Sequence, residues 1–259
     1  MNTTGLRTRE NPLSHYLLDG YQKIEGWLME GARDITLALA DLQKDFLVQG
    51  PILEIGVWKA RYLCLLSFVP SEAQRVIGVD PMVGMANKDA HKAELFRNIE
   101  MYARRPDLVT INEERSEHVD PQALLEQAGG RFQFISVDGS HLRDHVLHDL
   151  TIAEATLAEG GIVAMDDIAN PIAPGVWEAF IRYGMKDDAA LMPIINAGNK
   201  LFLTQRAHAH AYRTALLERC QSGRVGRVGQ RIVDHRTMMN RIQQPMCLFG
   251  QEVLVFPGQ

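Results

Sequence analysis

Five short runs rich in β-branched and apolar residues, PILEIGV, RVIGVD, LVTIN, FQFISVD and GGIVAMDD, recur between residues 51 and 167. Most are separated by stretches whose apolar residues fall three and four apart: KARYLCLLSFV, AELFRNIEMYARR, PQALLEQAG and LRDHVLHDLTIAEATLAEG. Strand and helix alternating in this way require crossover connections, and crossovers make parallel neighbours. Two later runs, LMPII and KLFLT, follow a helical stretch around VWEAFIRYG and are joined by the turn-like Asn196-Ala197-Gly198-Asn199, which predicts an antiparallel pair closing the sheet. The expected fold is therefore α/β: a Rossmann-like, mostly parallel seven-stranded sheet with helices on both faces.

The flanks read differently. Residues 1–50 have helical spacing in YQKIEGWLMEGARDITLALADLQKDFL and stop at the breaker pair Gly50-Pro51, which predicts an N-terminal helical extension before a central domain at 51–205. Residues 206–259 form a C-terminal extension: a His- and Arg-containing helix, the stretch QSGRVGRVGQR read as a solvated linker or loop, and the short ending QEVLVF. Both extensions are expected to cover a site or to pair subunits of a homo-oligomer. A net charge of −5 gives no general attraction to nucleic acid or to an anionic membrane, so the expected partner is a small molecule. Three cysteines at wide, irregular spacing form no zinc or disulfide pattern, and the polar stretch MNTTGLRTRENP has no apolar centre. A cytoplasmic protein is expected.

In open parallel sheets, ligands bind beyond the carboxyl ends of the strands. The residues at those ends form an acidic set: Glu54 to Gly56, Asp80, Asp138, and the pair Asp166-Asp167. Gly56 lets a ligand approach backbone amides, although GxGxxG is absent. Asp80 falls about one strand-helix-strand unit later, where a carboxylate can grip ribose hydroxyls; together the two suggest a nucleoside-containing cofactor. His141, three residues after Asp138 in SVDGSH, is the candidate base. His145 and His148, with Asp144 and Asp149, read as a solvated or packed helix face, and Trp177 as packing or a wall of the acceptor pocket.

The segments LEIGVWKA, VIGVDPM, INEERS, FISVDGSH and GGIVAMDDI, in this order, resemble class I S-adenosylmethionine-dependent methyltransferases. More narrowly, they are similar to the metal-dependent O-methyltransferases that act on sugars in macrolide and related pathways, whose sequences carry DGSH followed by a carboxylate pair. The resemblance covers roughly residues 50–205. It implies that Glu54 and Gly56 line the methionine side of S-adenosylmethionine, that Asp80 holds its ribose, and that Ser116 lies near the adenine. Trp58, Pro81, Met82 and Asp138 would complete the cofactor site. It further implies that Asp138, Asp166 and Asp167 bind Mg2+ or another divalent cation, and that His141 deprotonates a hydroxyl acceptor, a sugar or glycoside.

The chemistry of the residues agrees with that implication. A hard cation takes several oxygen ligands, and three carboxylates from two strand ends supply them while leaving positions for water and substrate. Two departures stand out. Ala60 occupies a position where relatives often have a glycine, a mild change wherever the backbone does not need positive φ, and Arg61-Tyr62 replaces a small hydroxyl residue and could reshape the methionine pocket. Arg115 also stands where an acid is frequent. A metal-binding hydroxylase-type protein of the same fold and a non-catalytic oligomeric scaffold are the alternative readings.

Overall fold

The structure, a computed structural model, describes residues 11–84 and 86–258. The first ten residues, part of the expected helical extension, lie outside the described residues. The expected strands are β1 (Ile52–Ile55), β2 (Val76–Val79), β3 (Val109–Asn112), β4 (Phe132–Val137), β5 (Leu157–Met165), β6 (Leu191–Ala197) and β7 (Lys200–Gln205). Three further short strands follow: β8 (Cys247–Leu248), β9 (Gln251–Glu252) and β10 (Leu254–Phe256). The main sheet is eight-stranded in the order β10-β6-β7-β5-β4-β1-β2-β3, and β8 and β9 pair separately. Its pairings are parallel except β7 with β5 and with β6.

Helices fill the connections. They are α1 (Pro12–His15), α2 (Tyr21–Lys23), α3 (Glu30–Asp45), α4 (Arg61–Leu66), α5 (Lys88–Tyr102), α6 (Pro121–Ala128), α7 (Arg143–Thr156), α8 (Pro174–Gly184), α9 (Arg206–Gln221) and α10 (Gly226–Arg241). Asp120 caps α6 by accepting from the Gln122 amide, and Gly129 ends the helix in the left-handed conformation. Period-two alternation divides the strand residues between two cores. Ile52, Phe134, Ile162, Ala164 and Phe202 face the helices of the N- and C-terminal regions, whereas Leu53, Ile55, Ile135, Val137, Val163, Met165 and Leu201 face α6, α7 and α8.

The structure differs from the sequence reading in three places, one in the central domain and two in the C-terminal extension. The LAEG end of the expected helix at 142–160 belongs to β5. The Gly/Arg stretch is a short turn between two antiparallel helices, and its RVGQR portion is the beginning of α10 rather than a loop. QEVLVF contributes β9 and β10, and β10 pairs in parallel with β6 to give the sheet its eighth strand. The burial of Leu254 and Phe256 explains why that short apolar run forms a strand. The N-terminal segment packs against the same body: a Cβ at Gly31 would lie 2.4 Å from the Phe256 ring, and one at Gly20 would lie 2.7 Å from Tyr102. Among the described residues, no helix is long and apolar enough to cross a membrane.

Candidate active site

Strand register lines up the site. Ile55 pairs with both Val79 and Val137, and Val137 pairs with Met165, so Gly56, Asp80, Asp138 and Asp166 leave neighbouring strands in one row. Backbone bonds extend the ladder by one step, from the amides of Gly56, Asp138 and Asp166 to the carbonyls of Val79, Ile55 and Val137. At this row Gly56 has φ +84°, and a Cβ there would sit 2.0 Å from the Asp138 carbonyl oxygen. Only glycine allows the two loops to meet so closely.

Asp80 is buried and acts as a clasp. Its Oδ2 accepts from the amides of Val57 and Trp58, both at 2.9 Å, and its Oδ1 accepts from Met82 at 2.7 Å. The loop it gathers is strained: Trp58, Ala60 and Met82 have φ of 50°, 66° and 49°. The expectation that Ala60 would be a mild change is thereby corrected, because the backbone there is left-handed and carries the penalty that glycine avoids. Trp58 meets His91 edge-on at 4.9 Å between ring centres, and His91 Nε2 donates to the Trp58 carbonyl at 3.1 Å. Pro81 lies between Asp80 and the buried Met82. Ser116, buried, opens a single 3-10 turn after β3, and its carbonyl accepts from His148 Nε2 on α7 at 3.2 Å. On that helix Asp149 is fully buried, whereas Asp144 is exposed.

Arg61 and Tyr62 serve the N-terminal extension. The Arg61 guanidinium lies 4.6 Å from the Tyr21 ring centre and donates to the Gly26 carbonyl, while the Arg61 carbonyl accepts from Tyr16. The Tyr62 hydroxyl is 2.8 Å from Thr36 Oγ1 on α3. The departure from small residues is thus matched by a segment, residues 16–36, that packs over the first loop.

At the acidic end, His141 Nε2 lies 2.7 Å from Asp167 Oδ2. Asp167 Oδ1 accepts from Asn170 and Asn199 at 2.8 and 2.7 Å, and the residue has φ +58°. His141 lowers the Asp167 pKa to about 2, and the same contact raises that of His141 against its partial burial. Asp138, His141 and Asp167 can each present one ligand atom within 4.8 Å of the others. This spacing, together with the carboxylate and imidazole donors, suits a divalent cation.

Asp166 points elsewhere. The antiparallel pairing of Met165 with Leu201 sets Lys200 opposite Asp166, and Lys200 Nζ is 3.1 Å from Asp166 Oδ2 and 3.7 Å from Asp138 Oδ2. Buried Glu54 shares this cluster: burial raises its carboxyl well above the usual range, Lys200 opposes that shift, and its Oε2 has no hydrogen-bond partner. Burial, then Asp166, likewise raises Asp138. The expected trio of Asp138, Asp166 and Asp167 is therefore brought to one place, but Asp138 and Asp167 converge with His141 while Asp166 turns to Lys200. Lys200 and Asn199 escaped sequence reasoning because both belong to a turn and strand start with no motif of their own. Asn170 was noted only as part of an Asn-Pro break.

Residues 53–168, which span the whole row, match the family described as Methyltransferase domain. The parallel strand order and the strand-end row agree with that match over this segment, and solved O-methyltransferase structures share the fold. Three solved structures illustrate the shared fold. The chain is similar to CalS11, described as a TDP-rhamnose 3'-O-methyltransferase in calicheamicin biosynthesis, at 20% identity and TM-score 0.51, covering 76% of this chain and 88% of that one. It is similar to the O-methyltransferase NovP at 19% identity and TM-score 0.55, covering 70% and 83%. It is also similar to an O-methyltransferase from Bacillus cereus in complex with SAH, at 14% identity and TM-score 0.53, covering 76% and 91%. A sequence comparison with curated proteins finds no match.

Proposed function

We propose that this chain transfers the methyl group of S-adenosylmethionine to a hydroxyl of a sugar or glycosylated natural product, with a divalent cation, Mg2+ by preference, at the acidic end of the strand row. The observation that carries this reading is the juxtaposition of an oriented imidazole, His141 on Asp167, with the Gly56 and Asp80 loop along one line of strand ends. Glu54 and Gly56 would face the methionine portion of the cofactor, Asp80, Pro81 and Met82 its ribose, and Trp58, Ser116 and Asp138 the rest. The cofactor supplies an activated methyl group on a sulfonium. The unpartnered Glu54 Oε2 is suited to accept from a bound ammonium.

Asp138 and Asp167 would hold the ion, and Asp166 stands behind them on Lys200. When bound, the ion supplies Lewis acidity that makes an acceptor hydroxyl easier to deprotonate. The Nε2 proton of His141 is directed to Asp167, which leaves Nδ1 to take the acceptor's proton. Exposed Leu142, Ile172 and Trp177 occur on the segments flanking His141 and Asp167 and offer apolar surface to the body of a glycoside. A cytoplasmic location agrees with three cysteines that are all free thiols, and a homo-oligomer agrees with the exposed Leu18, Trp27 and Leu47 on the N-terminal extension.

The test is methyl transfer from deuterated S-adenosylmethionine to a panel of nucleotide sugars and glycosides, with Mg2+ and with chelator, read by mass. A labelled methyl on a sugar oxygen that disappears with chelator and in His141→Ala supports the reading. Transfer unaffected by both removes the ion and the base from it.

A further inference from the structure

Lys200 is the lysine that burial singles out among the described residues, with 2% of its surface exposed. Its ammonium sits between Asp166 and Asp138 and 4.5 Å from the centre of the Tyr62 ring, whose negative face is the third wall around the charge. Burying an ammonium is costly unless fixed partners compensate, and here they are fixed. The β5–β7 register places Asp166, Thr36 holds the Tyr62 hydroxyl, and the Asp138 amide is tied to Ile55. Lys200 meets Asp166 as an ion pair without hydrogen-bonding alignment, so it acts as a point charge.

This charge occupies one side of the ligand set expected for a divalent ion. Asp166 Oδ2 is engaged by Lys200, and Asp138 faces both Lys200 and the group formed with His141 and Asp167. An ion on Asp138 and Asp167 would have a permanent positive neighbour a few ångströms away, and like charges at such range in a poorly screened site repel strongly.

We propose that Lys200 is a built-in cation of the site: it keeps Asp166 as its own counter-ion and confines a divalent ion to the side of Asp138, His141 and Asp167, at reduced affinity. The inference rests on the ion-binding reading above, and one experiment separates the two. Mn2+ is titrated calorimetrically into the wild-type protein, Lys200→Met and the double variant Lys200→Met/Asp166→Asn, with folding checked by circular dichroism. Lys200→Met is expected to bind Mn2+ at least about tenfold more tightly than wild type, and the double variant, which removes the ion pair without unmasking either charge, within about threefold of wild type. An unchanged affinity in folded Lys200→Met, or a loss of about tenfold or more in the double variant, overturns the proposal and leaves the ion reading intact. Binding by Lys200→Met but not by wild type upholds the proposal and removes the ion from the wild-type reaction. No binding by any of the three overturns both. Should Lys200→Met not fold, the double variant decides.

Discussion

His141 Nε2 lies 2.7 Å from Asp167 Oδ2, and Asp167 is itself fixed at Oδ1 by Asn170 and Asn199, so the imidazole is oriented by a carboxylate held from two sides. A positioned base of this kind needs both its tautomer and its direction set before substrate arrives.

The pair has a pH signature in the chelator-treated protein. The hydrogen bond to Asp167 raises the His141 pKa, so the stability it contributes is complete below the unfolded value of about 6.5 and is lost as pH rises through the higher folded value. The Asp167 pKa is lowered to about 2, so its contribution is present above the unfolded value and is lost as pH falls toward 2. Histidine titration by NMR should place His141 above the ordinary midpoint, and Asp167→Asn should bring it down. A midpoint unchanged by that substitution would contradict the assignment.

Gly56→Ala should be severe. Its Cβ would lie 2.0 Å from the Asp138 carbonyl at a φ of +84°, so the two strand-end loops must separate. A loss of more than about 2 kcal/mol in denaturant unfolding is expected, accompanied by loss of cofactor binding.

Asp80 is expected to matter before any cofactor arrives. Removing its carboxylate in Asp80→Ala leaves the amides of Val57, Trp58 and Met82 without their acceptor, at a cost of about 3 kcal/mol or more. Asp80→Asn keeps one acceptor oxygen and should fall between the two. Equal stability of wild type and Asp80→Ala in thermal unfolding would refute the clasp.

Arg61→Met should loosen the N-terminal segment rather than the sheet. It removes the cation over the Tyr21 ring and the donor to the Gly26 carbonyl, a loss of about 1–2 kcal/mol. Limited proteolysis should then cut faster within residues 16–28 and leave the central domain intact. Unaltered cleavage there would contradict the docking role.

The sheet was legible because its strands are short apolar runs of the right length, and four of them, β1, β2, β4 and β5, lead directly into a glycine or carboxylate that the register then aligns. Gly56, Asp80, Asp138 and His141 could be chosen from order along the chain alone. What could not be chosen were partners that arrive from far along the sequence. Lys200 opens a strand that reads only as apolar, and it meets Asp166 because β7 runs antiparallel beside β5. Asn199 reads as a turn residue, yet it reaches Asp167 across the same junction. The left-handed φ of Ala60 is set by the tightness of the Asp80-bound loop, which no local propensity encodes. The strand β10 was hidden by its length of three residues and gains its stability from an edge position beside β6.

Whether the Gly56 and Asp80 loop holds S-adenosylmethionine is decided by calorimetric titration of that cofactor into the purified protein, with Mg2+ and again with chelator. Saturable one-site binding in the micromolar range, abolished by Gly56→Ala, is the expected result. Absence of binding in both buffers, with and without a glycoside acceptor present, would contradict it.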